Sequence, residues 1–294
     1  MSEQHPIPVR PLPLGAAVGP GTQPTESDGA ELGYLAMPGE MQTYHPPVLP
    51  EPEEIESLTE GLELLRLLHD ALLAYHVGNA PRVIDLRVLD PANLRLVEDS
   101  LGEGEVSILR TATGRERAQE TRLAGVWRVQ TSDADGRVTH DALEIADVPG
   151  FLRETAFAAA AAGVAVPERL PEGVMNAPGV LAELNDQVAR RRGGASDAPH
   201  IVNLTLLPQS EQDLTFLGER LGIGDIRILS RGYGNCRITT TTLDGVWWVQ
   251  FYNSDDSLIL NTLEVTDVPA AALAAQEDID DSAARLGEIL EALR

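Results

Sequence analysis

One thiol and six histidines leave this 294-residue chain few routes to covalent or metal chemistry. The thiol, Cys236, sits near Arg231 and Arg237 in sequence. Neighbouring cations favour a thiolate, which could bind a metal or a partner's thiol. The competing reading is a small buried hydrophobe on a strand. A single cysteine excludes an internal disulfide and any Cys-rich zinc or iron–sulfur cage built from this chain alone. His69 and His76 stand seven residues apart, two helical turns, rather than at the i, i+4 step of paired zinc ligands on a helix. No serine elbow or phosphate loop occurs. Gly102/Gly104 and Gly222/Gly224 each follow a helical pattern and precede a strand, the reverse of a dinucleotide-binding loop, so they read as turn residues. Asp255-Asp256 reads as a turn tip rather than a calcium site. The expectation is a non-enzymatic chain with no cofactor of its own.

What remains is recognition chemistry, concentrated between Arg231 and Pro269. Three β-rich runs there are separated by Leu-Asp-Gly and Asn-Ser-Asp-Asp-Ser, the pattern of a small antiparallel meander. A twin runs from Thr111 to Pro149. Trp127 and Trp247 are 120 residues apart, as are Pro149 and Pro269. A constant offset through strands and turns signals a repeated unit. The expected fold is α+β: a tandem duplication of an α+β unit with an antiparallel β-meander, preceded by an extended Pro/Gly-rich segment.

Comparison of the copies separates scaffold from candidate site. Trp127 and Val129, like Trp247 and Val249, alternate along a strand and should face a core. On the opposite face Arg128, Gln130 and Ser132 become Trp248, Gln250 and Tyr252. The second copy thus gains two aromatic rings, a side-chain type enriched in binding hot spots. The preceding turn also changes, from Thr113-Gly114-Arg115-Glu116 to Tyr233-Gly234-Asn235-Cys236. The candidate partner-binding set is therefore Tyr233, Asn235, Cys236, Arg237, Trp248, Gln250, Tyr252 and Asn253. Packing of Trp248 and Tyr252 under a terminal helix or on the other unit is the alternative.

The elements that must position these residues follow from period and punctuation. Residues 1–52 have neither helical nor strand period and read as extended or mobile; Leu32, Tyr34, Leu35, Met37, Met41 and Tyr44 are apolar anchors for the body or a partner. A helix is expected over 53–77, a strand over Val83–Leu89, and a helix from Pro91 to about Ser100 capped by Asp90. Strands follow near 105–110, 116–123, 126–131 and 138–145, with Asp135-Gly136 as a hairpin turn. Phe151–Ala162 reads as an alanine-rich helix and 166–179 as a linker. The second unit repeats the plan with a helix over Leu181–Arg192, a strand over Ile201–Leu207, a helix over 209–221 and the meander. A closing helix is expected over 270–293. The units accordingly span 53–165 and 180–294.

Forty-six acidic against 22 basic side chains give a formal charge of −24. Such a surface repels nucleic acid and anionic membrane and suits soluble life or a basic partner. No apolar run approaches the roughly 20 residues of a membrane span, and no secretory signal is visible, so a cytoplasmic location is expected.

The strings RGYGNCRI (Arg231–Ile238) and VWWVQFYNSDDSLILNTLEVTDVP (Val246–Pro269) resemble the C-terminal domain of the HupH/HyaF family of hydrogenase expression/formation proteins. GPGTQP (Gly19–Pro24) and MPGEMQTYHPPVLPEPE (Met37–Glu53) resemble its N-terminal segment. The first unit matches more loosely, its VWRVQTSD (Val126–Asp133) lacking the aromatic pattern. The resemblance implies an accessory protein for nickel–iron hydrogenase maturation, not an enzyme. It implies binding of the iron–sulfur small-subunit precursor before export, with other maturation proteins as further partners. A metal or iron–sulfur carrier using Cys236 is the alternative function.

Overall fold

The computed structural model describes residues 57–111, 115–195, 198–232 and 234–293. The expected 1–52 segment, the first residues of the expected 53–77 helix and Tyr233 lie outside these. The architecture is one of mixed helices and antiparallel sheet.

The chain opens on α1 (Thr59–Leu73), whose Leu64, Leu65, Leu68 and Leu72 form the buried stripe. Strand β1 (Arg82–Asp85) and α2 (Pro91–Leu101) follow. The Asp90 carboxylate caps α2 by accepting from the backbone N–H groups of Ala92 (2.8 Å) and Asn93 (2.9 Å). Four antiparallel strands come next: β2 (Val106–Arg110), β3 (Arg115–Glu120), β4 (Val126–Ser132) and β5 (Val138–Ile145). After the short α3 (Gly150–Thr155), the second half runs α4 (Ala177–Arg192), β6 (His200–Asn203), α5 (Glu211–Leu221), β7 (Ile226–Gly232), β8 (Gly234–Thr240), β9 (Val246–Tyr252) and β10 (Leu258–Val265). A 3-10 turn (Ala270–Ala272) leads to α6 (Gln276–Ala292).

The ten strands of the described residues join one sheet, in the order β1-β5-β4-β3-β2-β7-β8-β9-β10-β6. The halves meet at the antiparallel β2–β7 pair, where Ile108 faces Ile228. These two residues are themselves 120 apart, as are the starts of β2 and β7, β4 and β9, and β5 and β10. The second half therefore mirrors the first across that central pair.

One face of the sheet packs Trp127, Val129, Ile108, Ile228, Ile238, Trp247 and Val249 against Phe151, Leu152, Val268 and Ala272. Both tryptophans anticipated as core are buried there, and each indole N–H is satisfied by a carbonyl, Ala146 (3.0 Å) or Thr266 (3.1 Å). The other face carries two separate helical layers. Helices α1, α2 and α6 pack over Val126, Leu143 and Ile145; α4 and α5 pack over Val246, Leu263 and Val265.

The helix drawn over 53–77 ends at Leu73, the strand drawn over 116–123 ends at Glu120, and the helix drawn over Leu181–Arg192 begins at Ala177, inside the expected 166–179 linker. Four further expectations differ from the structure for identifiable reasons. The strand drawn over Val83–Leu89 stops at Asp85, because its carboxylate accepts from the Arg87 N–H (2.9 Å) and turns the chain. The strand drawn over Ile201–Leu207 stops at Asn203 by the same device, its side chain accepting from Thr205 N–H (3.0 Å). The alanine-rich helix ends at Thr155 rather than Ala162. The run beyond it docks on the β8–β9 connection, Ala161 exchanging backbone hydrogen bonds with Thr242 (2.8 Å) and Asp244 (2.9 Å). The closing helix breaks at Leu273–Ala275, and α6 then crosses to lie on α1 of the first half.

Gly104 and Gly224 act as turn residues by close approach. A Cβ there would stand 2.2 Å from the Thr121 carbonyl oxygen or 2.4 Å from the Thr240 hydroxyl, distances no side chain tolerates.

Candidate functional site

Because the two helical layers sit over opposite ends of the sheet, its central strands present a groove between them. The floor comes from residues sharing a face by cross-strand register: Ser107 opposite Gln119 and Leu229, Leu109 opposite Arg117 and Arg227, Arg237 opposite Leu229 and Gln250. Across β4, β3, β2 and β7 this groove deepens into a cavity of about 630 Å³ walled by Val97, Glu98 and Leu101 of α2.

In the second half the same face carries five of the candidate residues. Across the β8–β9 ladder Asn235 faces Tyr252, Arg237 faces Gln250 and Thr239 faces Trp248. The Arg237 guanidinium lies 5.2 Å from the centre of the Tyr252 ring, a cation–π arrangement. Asn235 Nδ2 donates to Asp256 Oδ1 (3.1 Å), tying the strand to the next hairpin. Trp248 is half-buried against the α4/α5 core, and its indole N–H donates to Asn261 Oδ1 (2.5 Å). Its ring tip lies over Gly218 of α5, where even a Cβ would be in contact at 4.0 Å. Tyr252, Arg237 and Gln250 thus offer the accessible edges, with Trp248 as a partly exposed floor.

Three candidates stand apart. Asn253 holds the β9–β10 turn, its Oδ1 accepting from the N–H groups of Asp255 (2.9 Å) and Ser257 (2.8 Å). Tyr233 lies outside the described residues. Cys236 alternates with Asn235 and Arg237 and so points to the opposite face, where it is buried with Ile238 and Val249. Of the two readings of Cys236, the placement matches the small buried hydrophobe rather than a thiol activated by Arg231 and Arg237. Burial pushes the thiol up to about 12, and the charge of Glu264 on the same face adds to the rise. The two arginines belong to the opposite face by register, Arg231 through its pairing with Asn235 and Arg237 through Gln250.

Among the described residues no three His, Cys, Asp or Glu side chains are grouped to hold a metal. His76 is exposed, while His69 packs on Gly287 of α6, the position of an added Cβ being 3.3 Å from its Nε2. No helix of the described residues is long and apolar enough to cross a membrane.

Sequence comparison of the two repeats located the aromatic half of this groove but not its cationic half. Arg117, Arg128, Arg227 and Arg231 all line the cavity, from three strands. The available signal was the equivalence of Arg117 and Arg237, 120 residues apart at matched strand positions. Arg128 is clamped by Asp141 and Glu98, with Asp141 the principal cause of its raised pKa.

The family model "HupH hydrogenase expression protein, C-terminal conserved region" matches residues 58–168 and again 174–293. A hydrogenase expression/formation protein HupQ of Azotobacter chroococcum mcd 1 is 50% identical over 282 residues, covering 96% of this chain and 97% of the relative. A hydrogenase expression/formation protein HoxQ of Azotobacter vinelandii is 50% identical over 295 residues and covers 100% of both chains. The hydrogenase-1 operon protein HyaF of Escherichia coli K12 is 31% identical over 283 residues, covering 93% of this chain and 94% of its own. With most of its length matched in both ways, the chain belongs to the HupH family of hydrogenase expression/formation proteins.

Proposed function

We propose that this protein is a non-catalytic chaperone of nickel–iron hydrogenase maturation, acting in the cytoplasm on the iron–sulfur small-subunit precursor before its export. Its family membership supports the maturation role. The observation that carries the binding role is the centre of the sheet, which no helix of the described residues covers and where Asn235, Arg237, Gln250 and Tyr252, all partly exposed, meet on neighbouring strands beside half-buried Trp248. Such a surface pairs aromatic contact area with hydrogen-bonding groups, the composition of protein-binding hot spots. We further infer that the halves 53–165 and 180–294 descend from one unit, which supports a division of labour between them.

The Cys236 carrier reading is set aside, since the thiol is enclosed and held protonated. The test is co-purification of the tagged small-subunit precursor from cells. Tyr252→Ala plus Arg237→Gln, which leave the Trp248 packing in place, should lower recovery at least about tenfold, the scale of a hot-spot loss. Undiminished recovery would remove the proposed face.

A further inference from the structure

The cationic half of the groove runs against the character of the chain. Acids outnumber bases by 46 to 22, and every base is arginine. Yet Arg117, Arg227 and Arg231 line one cavity, and among the described residues none has a carboxylate within ion-pair distance. The register places them close together. Arg117 and Arg227 flank Leu109 on the two neighbouring strands, and Arg231 lies four residues further along β7 on the same face. Spacings of about 4.8 Å between strands and 3.3 Å along them keep the three backbone positions within roughly 10–16 Å of one another. The carboxylates present do not neutralise them. Glu98 is taken by Arg128, Glu103 stands at the exposed rim, and Glu120 is turned to the other sheet face opposite Trp127. Apolar Val97, Leu101, Leu109, Leu143 and Leu229 complete the lining. Arg117 Nε donates to Gln130 Oε1 (2.7 Å), a neutral acceptor that leaves its charge uncompensated. A cavity with apolar walls and guanidiniums that lack a carboxylate partner among the described residues suits a carboxylate-bearing peptide with apolar side chains between its acids.

We propose that this cavity is a carboxylate-binding site and that its occupant in the resting protein is the chain's own run Glu51–Glu56. Three observations select that occupant. Residues 1–56 carry nine acidic side chains against the single Arg10, and four of the nine fall at Glu51, Glu53, Glu54 and Glu56 around Ile55. The run joins the described structure beside the cavity wall, since Gly61 at the start of α1 donates its N–H to Asn93 of α2 (2.8 Å). From Asn93 to the cavity-lining Leu101 is about 12 Å of helix at 1.5 Å per residue, while six extended residues reach roughly 20 Å. Finally, a free acidic peptide has to overcome the repulsion of a chain of charge −24. A tethered one meets the site at an effective concentration of about millimolar. This inference does not rest on the identity of the client, and it concerns the cavity spanning β3, β2 and β7 rather than Tyr252.

The experiment uses the full-length chain with spin labels at Glu53→Cys and, on the rim, Glu103→Cys, and reads the inter-label distance distribution. The enclosed Cys236 leaves those two positions as the labelled ones. A docked run gives a narrow, short distribution at low salt. It broadens at least about twofold, toward that of a flexible tether, with Arg227→Gln plus Arg231→Gln or in about 0.5 M salt. An unchanged circular-dichroism melt of the variant excludes unfolding as the cause. A broad distribution in the parent chain, or a short one indifferent to both arginines and salt, overturns the proposal. A distribution that is broad alone and stays broad while an added acidic peptide binds through the arginines overturns the choice of occupant.

Discussion

Cys236 is enclosed by Ile238, Val249 and the central strands, so ionising it means placing a thiolate in an apolar surround. With its pKa pushed up to about 12 by burial and then by Glu264, it should resist a thiol-specific reagent in the folded protein at pH 8 and react stoichiometrically once unfolded. Reaction of the native chain at the rate of a free thiol would contradict this placement. Glu120 is the opposite kind of buried group. Burial raises its carboxyl to about 7, offset in part by the Gly125 N–H and reinforced by Glu105 and Asp278. The folded state therefore binds its proton more tightly than the unfolded chain does. Its contribution to stability is neutral below the unfolded value near 4.5 and turns increasingly unfavourable as pH rises toward and through 7. Glu120→Gln should raise stability at pH 8 by on the order of 2 kcal/mol and change little at pH 4, as read by thermal melts at the two pH values. The equivalent residue in the second half, 120 positions on, is Thr240, which carries no such charge.

At the scale of elements, the two halves solve one joint with two residue types. Asn93 of α2 accepts the Gly61 N–H of α1, and its counterpart Asp213 of α5 accepts the N–H groups of Met175 (2.8 Å), Asn176 (2.9 Å) and Ala177 (2.9 Å) at the start of α4. Asp213 also closes the capping box of its own helix with Ser210. Burial works to raise its pKa, but the donors from Ala177, Ser210 and Met175 outweigh it and hold the carboxyl below its ordinary value. A depressed acid stabilises fully above its unfolded pKa and loses that contribution as pH falls through the folded one. Asp213→Ala, which orphans buried donors at two helix starts, should cost about 2–4 kcal/mol at pH 7 in denaturant unfolding, with the difference from the parent shrinking below pH 3. A loss under about 0.5 kcal/mol would mean that water replaces the carboxylate there.

For the whole molecule, what matters is how the halves are joined. The sheet is continuous through β2 and β7, and α6 returns from the second half to bury Ile279, Ala283 and Leu286 with α1. Gln276 fastens the start of α6 by accepting the Val77 N–H (2.8 Å). Unfolding should therefore be a single cooperative event. Ile279→Ala, at a fully buried position beside Gly125, should cost about 2–4 kcal/mol and should lower hydrogen-exchange protection in β4 and β9 alike. Loss confined to β4 would show that the halves open independently.

Much of this plan is legible in the chain itself. The period of α1, the cap at Asp90 and the alternation around Trp127 and Trp247 are local, since each depends on side chains within a turn or on one strand. The offset of 120 residues marks matching strands in both halves from the sequence alone. Less legible were the ends at Asp85, Asn203 and Thr155, because short side chains and a neighbouring loop captured backbone that local propensity left undecided. The site divides in the same way. Strand alternation marked Trp248, Gln250 and Tyr252 as one face, yet sequence proximity put Cys236 beside arginines that the pleat turns away from it. Only the tertiary arrangement gathered Arg117, Arg227 and Arg231 into one cavity and sent α6 back to the first half. Cross-strand register and helix docking unite residues up to more than 100 positions apart, and no local rule of period or propensity carries that information.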